Sequence, residues 1–126
     1  MIQNYAPNSK SEIITQEEQV VYVGVDLSKS KLDVMVDKYK IYPNTDSGCS
    51  RFCRDIKQKY RNVVVVYEAT GCISLQFAAM LDSNGIQRCQ VSPRKVRHFA
   101  KGGIKEAKTD KLDCAVIRNY AVAYSQ

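Results

Sequence analysis

The feature that most constrains the fold is a short apolar run, residues 20–28, which ends in a carboxylate. Valine and tyrosine dominate the run, and such residues over this length predict a β-strand. Asp26 stands where a buried strand would carry another apolar side chain. An unpaired buried carboxylate is costly, so Asp26 requires a cation, several hydrogen-bond donors or a place at the strand end. The rest of the chain should therefore supply its partner.

Length and composition predict one soluble domain. A chain of 126 residues can form its own core, and its 44% hydrophobic and 25% charged residues are typical of globular proteins. No apolar run approaches the roughly 20 residues that span a bilayer, and the first residues do not resemble a signal peptide. The five scattered cysteines favour reduced thiols. We therefore expect a cytoplasmic protein without a membrane contact.

Positive charge is concentrated in one segment near the C-terminal end. The chain carries a net charge of +6, of which residues 94–111 contribute +5. A basic patch of this kind is the footprint of a nucleic-acid partner, because it neutralises phosphates and releases counterions. A solvated lysine-rich loop would show the same charge. The candidate nucleic-acid contacts are Arg94, Lys95, Arg97, Lys101, Lys105, Lys108 and Lys111.

The first half of the chain predicts an arm followed by three strands. Residues 1–19 are polar and are interpreted as an N-terminal arm, whereas 20–126 form the domain. The predicted strands are 20–27, 31–37 and 40–42, and connections this short require antiparallel neighbours. In the second strand, apolar and polar residues alternate, which predicts a half-buried strand with Asp33 on the solvent face.

The second half alternates helices and strands. Helices are predicted at 48–60, 72–83 and 109–123, with a short helical piece at 94–100 before the last of them, and strands at 63–67 and 86–91. In the second of these helices, Leu75, Phe77 and Met80 are interpreted as core residues. The order β-β-β-α-β-α-β-α predicts an α/β domain with a mixed sheet and helices on both faces.

Four acidic residues occupy special places in this layout. Asp26 ends the first strand, and Glu68 directly follows the strand at 63–67. Asp110 and Asp113 are three apart at the start of the last helix, so they share one face of it. Active sites of open α/β sheets collect beyond the carboxyl ends of the strands. If the two strands are neighbours, Asp26 and Glu68 project into one cleft, beside which the last helix can bring the aspartate pair.

Such a set of carboxylates suits a divalent metal site. Mg²⁺ and Mn²⁺ prefer carboxylate and water oxygens, and two such ions, roughly 3.5–4 Å apart, can drive phosphodiester chemistry. Each acid also has a structural explanation. Asp26 can accept from the amides of the following turn, Glu68 can cap the turn after it, and the aspartate pair suits a helix N-terminus. The conjunction of all four in this order favours the metal site.

Other candidate groups have weaker support. His98, the only histidine, is interpreted as a surface or phosphate-contact residue. Cys49 and Cys53 lack a second pair of ligands, so a zinc site is not predicted. Ser28-Lys-Ser-Lys31 stands where a nucleotide-binding fold of the actin and sugar-kinase type would need a glycine-rich phosphate loop. That class of protein is therefore disfavoured.

Three segments resemble the DEDD-type transposases of bacterial insertion sequences. They are residues 23–34 (VGVDLSKSKLDV), 67–71 (YEATG) and 108–115 (KTDKLDCA), and the resemblance extends over about 20–123. These transposases are relatives of the Piv DNA invertase, and their N-terminal domain is RuvC-like, with an RNase H-like fold. The resemblance implies that an acidic tetrad binds Mg²⁺ or Mn²⁺ for DNA strand cleavage and transfer. Its members are Asp26, Glu68, Asp110 and Asp113.

The resemblance also implies partners and a missing part. The expected partners are DNA, at the insertion-sequence ends and the target, a structured noncoding guide RNA and further copies of the chain. Members of the family continue into a C-terminal domain with a serine region that this sequence lacks. We therefore expect the catalytic N-terminal domain alone, and complete recombination by it is not expected.

Two other functions stay open. A RuvC-like nuclease that selects branched DNA would have the same fold and the same tetrad. A non-catalytic module that binds RNA or DNA would use only the basic segment. Replacing Asp26 and Glu68 by alanine distinguishes these functions. The variant should lose metal-dependent strand chemistry if the chain is an enzyme, whereas a binding module should still bind nucleic acid.

Overall fold

A five-stranded mixed sheet with helices on both faces forms the domain. The computed structural model describes residues 19–101 and 110–124, so the predicted N-terminal arm up to residue 18 and the basic loop at 102–109 lie outside the described residues. The elements are β1 (Val21–Leu27), β2 (Lys31–Met35), β3 (Tyr39–Pro43), α1 (Asp46–Lys59), β4 (Val63–Glu68), α2 (Gly71–Ser83), β5 (Gln87–Val91), α3 (Pro93–Lys101) and α4 (Asp110–Tyr124).

The strand order is β3-β2-β1-β4-β5. The short turns after β1 and β2 make the first three strands an antiparallel meander, as predicted. β4 returns through α1 to lie parallel to β1, and β5 returns through α2 to lie parallel to β4. β1 is therefore the central strand, with an antiparallel neighbour on one side and a parallel neighbour on the other. None of the described helices is long and apolar enough to cross a membrane.

The larger part of the core lies between the sheet and helices α1 and α2. Val23 and Val25 of β1 and Tyr67 of β4 are fully buried there, beneath Phe52 of α1 and Leu81 of α2. Full burial of such side chains stabilises a fold by about 1.5–3 kcal/mol each. Most of the buried apolar side chains therefore lie on this face of the sheet.

The opposite face is covered by α3 and α4. Val66 of β4 packs there with Val96 of α3 and Ile117 of α4, in a smaller cluster. Gly24 of β1 lets α4 approach closely, since a Cβ atom at Gly24 would lie 2.3 Å from the carbonyl oxygen of Cys114. The Nε of Arg118 donates a hydrogen bond of 2.9 Å to the carbonyl oxygen of Tyr22. α4 is therefore seated directly on β1.

Two predictions about burial were wrong. Asp33 is 1% exposed, not on the solvent face, because α4 extends over β2 and covers the side of the strand that was expected to face water. Leu75 is 69% exposed, not in the core. At about 100° per residue, Leu75 lies some 200° around α2 from Phe77, which is buried against the sheet.

Candidate metal and nucleic-acid site

Asp26 and Glu68 come together at the ends of two adjacent strands. The parallel pairing of β1 and β4 ends with Val25 opposite Tyr67, and each acid is the next residue of its strand. Side chains alternate between the two faces of a strand. Because Val25 and Tyr67 pack toward α1 and α2, Asp26 and Glu68 face the side covered by α4. Both side chains are half-buried there.

The first turn of α4 lies at the same place. The helix begins at Asp110, and Asp113 is half-buried one turn later. The next residue, Cys114, is fully buried. Burial, and then the nearby carboxylates of Asp33 and Asp26, raise the pKa of the Cys114 thiol to about 12. The acids of β1 and β2 therefore lie against the turn that carries Asp113, whereas the side chain of Asp110 lies outside the described part.

Asp33 lies beside Asp26, a position that the sequence interpretation did not give it. It is the partner of Asp26 in the antiparallel register of β1 and β2, so the two side chains share a face. The hydroxyl of Tyr39 donates to Asp33 Oδ1 at 2.5 Å, and Lys31 Nζ lies 3.7 Å from the same oxygen. A usable signal was present in the sequence, since counting outward from the turn after β1 pairs residue 27 with 32 and residue 26 with 33.

The donor chemistry of this edge fits a hard divalent cation. Asp26 and Glu68 of the sheet and Asp113 of α4 carry carboxylate oxygens of the kind that such an ion prefers. Among the side chains that the structure describes, no group of three or more acids, histidines or cysteines forms a ready metal cage. Asp110 belongs to the predicted tetrad, but its side chain lies outside the described part of the chain. Metal binding by the tetrad therefore stays a prediction.

A basic helix begins beside the acids. The amide of Ala69, directly after Glu68, donates to the carbonyl oxygen of Val91 at 3.1 Å, which ties this loop to the end of β5. α3 starts two residues later, with Val96 turned into the core and Arg94, Lys95, Arg97 and His98 exposed. The side chains of Lys101, Lys105, Lys108 and Lys111, the other predicted contacts, lie outside the described residues.

The fold defines a class of protein. It is similar to the RuvC structure of Thermus thermophilus, with a TM-score of 0.58 and 12% sequence identity over 83% of this chain and 94% of that chain. At this identity the likeness concerns the fold alone, and it confirms the predicted RuvC-like, RNase H-like architecture.

The family is shown by the sequence itself. Residues 23–126 match the transposase family of the DEDD, IS110 type, and the chain belongs to that family. No sequence among the curated proteins matches this chain. The resemblance found in the three sequence segments is therefore confirmed, and the domain is a transposase domain with a RuvC-like fold.

Proposed function

We propose that this domain performs divalent-metal-dependent DNA strand cleavage and transfer during transposition of an insertion sequence. The observation that carries the proposal is the position of Asp26 and Glu68. They lie side by side at the carboxyl ends of parallel strands, on the face where α4 presents Asp113. Asp110, one turn earlier on α4, would complete the four carboxylates.

The chemistry follows from the charges at this edge. Bound Mg²⁺ or Mn²⁺ would supply a Lewis acid and an activated water for phosphodiester cleavage. The carboxylates of Asp26, Glu68, Asp113 and Asp110 would hold the ion and set its position relative to the strand ends. Without a cation these acids repel one another and a phosphate backbone alike. The buried Cys114 and the sheet beneath it exclude water from the inner side of the site.

Calorimetric titration with Mn²⁺ tests the proposal. The 126-residue chain should give saturable heat. The Asp26→Asn variant, which keeps the shape of the side chain but loses its charge, should bind at least about tenfold more weakly because a ligand is lost. Asp82→Asn is the matched control, since it removes the same charge from an exposed residue at the far end of α2. Equal binding by wild type and Asp26→Asn would contradict the proposal.

We further propose that α3 contacts the nucleic-acid backbone. Replacing Arg94, Lys95 and Arg97 by alanine should weaken DNA binding and reduce the slope of log K against log salt by about 0.9 for each lost phosphate contact. The matched control replaces Lys57, Lys59 and Arg61, three exposed cations at the opposite end of the strands. Fluorescence anisotropy at several salt concentrations measures both slopes, and identical slopes would argue against an interface at α3.

The remaining partners follow from family membership. We propose that the substrate DNA comprises insertion-sequence ends and a target, that a structured noncoding RNA guides the choice, and that further copies of the chain assemble on it. A bacterial cytoplasmic location is consistent with these partners. Sedimentation with and without DNA tests the assembly.

A further inference from the structure

Asp33 is the buried charged residue of the described part of the chain. Its carboxylate is 1% exposed, yet it lies beside another carboxylate, that of Asp26. Burial of a charge without compensation is costly. Here the compensation comes from the Tyr39 hydroxyl and the Lys31 ammonium, which both approach Oδ1. The arrangement therefore places a carboxyl group with two polar partners in the interior of the domain.

Three carboxylates form a row across the sheet. Asp33 of β2 is opposite Asp26 of β1, and Asp26 and Glu68 follow directly after the last paired residues of β1 and β4. Opposed residues of antiparallel strands have Cβ atoms roughly 4.5–5.5 Å apart. Asp33 is thus next to Asp26, one of the proposed metal ligands, and lies on the side of Asp26 that faces away from Glu68.

One of the two donors to Asp33 also lies on that side. Tyr39 belongs to the edge strand β3, and Lys31 belongs to β2 itself. They flank the Asp33 carboxylate, whereas Glu68 lies on the other side of Asp26. Above the row, Cys114 lies near both Asp33 and Asp26. The charge of Asp33 therefore acts on Asp26 and on the first turn of α4 together.

We infer that Asp33 is a positioning residue that raises the affinity of the proposed site for a divalent cation. The inference rests on the proposed function. A fixed negative charge beside Asp26 is repelled by it, and a divalent cation at the row relieves that repulsion. Tyr39 and Lys31 keep the charge fixed and aligned. Groups that orient a metal ligand without being the ligand typically change metal affinity by about 10–100-fold when they are removed.

The test compares the dissociation constant for Mn²⁺ in four forms of the full chain, by calorimetry. Asp33→Asn keeps the shape but removes the charge and should raise the Kd about tenfold. Tyr39→Phe removes only the phenolic donor and should raise it about threefold. Asp82→Asn, the same charge change far from the row, should leave it within about twofold of wild type.

The possible outcomes distinguish a failure of the inference about Asp33 from a failure of the proposed function. Saturable binding by wild type with an unchanged Kd in Asp33→Asn overturns the role of Asp33 alone. Absence of saturable binding in wild type refutes the proposed function and the inference together. A purely structural role would lower the free energy of unfolding in urea without moving the Kd. If Asp33→Asn does not fold, Tyr39→Phe decides, since an unchanged Kd in that variant also overturns the role.

Discussion

Replacing Gly24 by alanine is expected to displace α4 and to lower the free energy of unfolding by about 3 kcal/mol. The new Cβ would lie 2.3 Å from the carbonyl oxygen of Cys114 and 2.8 Å from the amide nitrogen of Arg118. Both are backbone atoms, so the helix must move as a body. Overpacking costs about 1–3 kcal/mol, occasionally more. Because the same movement carries Asp113 away from Asp26, Mn²⁺ binding should weaken as well. Urea denaturation and calorimetry measure the two effects.

The matched control for this variant is Gly85→Ala. Gly85 has φ of +69° but no heavy atom within 4 Å of an added Cβ, so only the backbone conformation is penalised, at about 1 kcal/mol. Maleimide labelling read at Cys114 by peptide mapping gives a local readout, since this residue of α4 is fully buried against the sheet, unlike the exposed Cys72 and Cys89, and should react only when the helix is displaced. If Gly24→Ala costs no more than Gly85→Ala and Cys114 stays protected, α4 is not held on β1 as described.

Replacing Asp26 by asparagine is expected to slow Mn²⁺-dependent DNA strand cleavage about 10³-fold, or about 4 kcal/mol of transition-state stabilisation. Asparagine fills the same space at the end of β1 but lacks the charge that would hold the ion. Glu68→Gln should have an effect of similar size for the same reason. Since ligands of one ion act as a unit, the double variant should be little worse than either single variant. Single-turnover cleavage of DNA measures the three rates.

DNA binding provides the control for these variants. Asp26→Asn removes a negative charge near the proposed DNA path, so binding should be retained or become slightly tighter. Asp82→Asn should cleave at the wild-type rate. Cleavage within tenfold of wild type in both single variants would mean that Asp26 and Glu68 serve only as caps. A wild-type chain that binds DNA but never cleaves it with Mn²⁺ would support the binding-module alternative.

The fold was largely predictable because its signals are local. Short turns after β1 and β2 can only join antiparallel strands, and a run of four valines, as in β4, is typical of a strand covered on both faces. The five strands and the helices were found within two or three residues of their observed ends. The shared cleft of Asp26 and Glu68 was predicted on the condition that β1 and β4 are adjacent, and the structure confirms that they are. The family followed from three segments whose spacing matches the strands and the last helix.

The errors arose where a distant element decides what a local pattern means. In Leu32-Asp33-Val34 the alternation is genuine, yet all three residues are buried, since α1 and α2 cover one face and α4 covers the other. α4 follows β2 by more than 70 residues, so no pattern within the strand could reveal it. Leu75 was misplaced because α2 is apolar on most of its circumference, and only the sheet determines which residues face inward.

The packing of α4 on β1 determines when, during synthesis, the proposed site can be complete. Arg118 reaches its acceptor on Tyr22 from 96 positions away. A chain leaves the ribosome from its N-terminal end, at about 5–20 residues per second. A nascent chain that already contains β1 to β5 therefore carries Asp26 and Glu68 without their covering helix, and Asp33 is still hydrated. The 15 residues of α4 are the last described element to emerge. Under the proposed function, the set of carboxylates would be complete only after α4 has emerged.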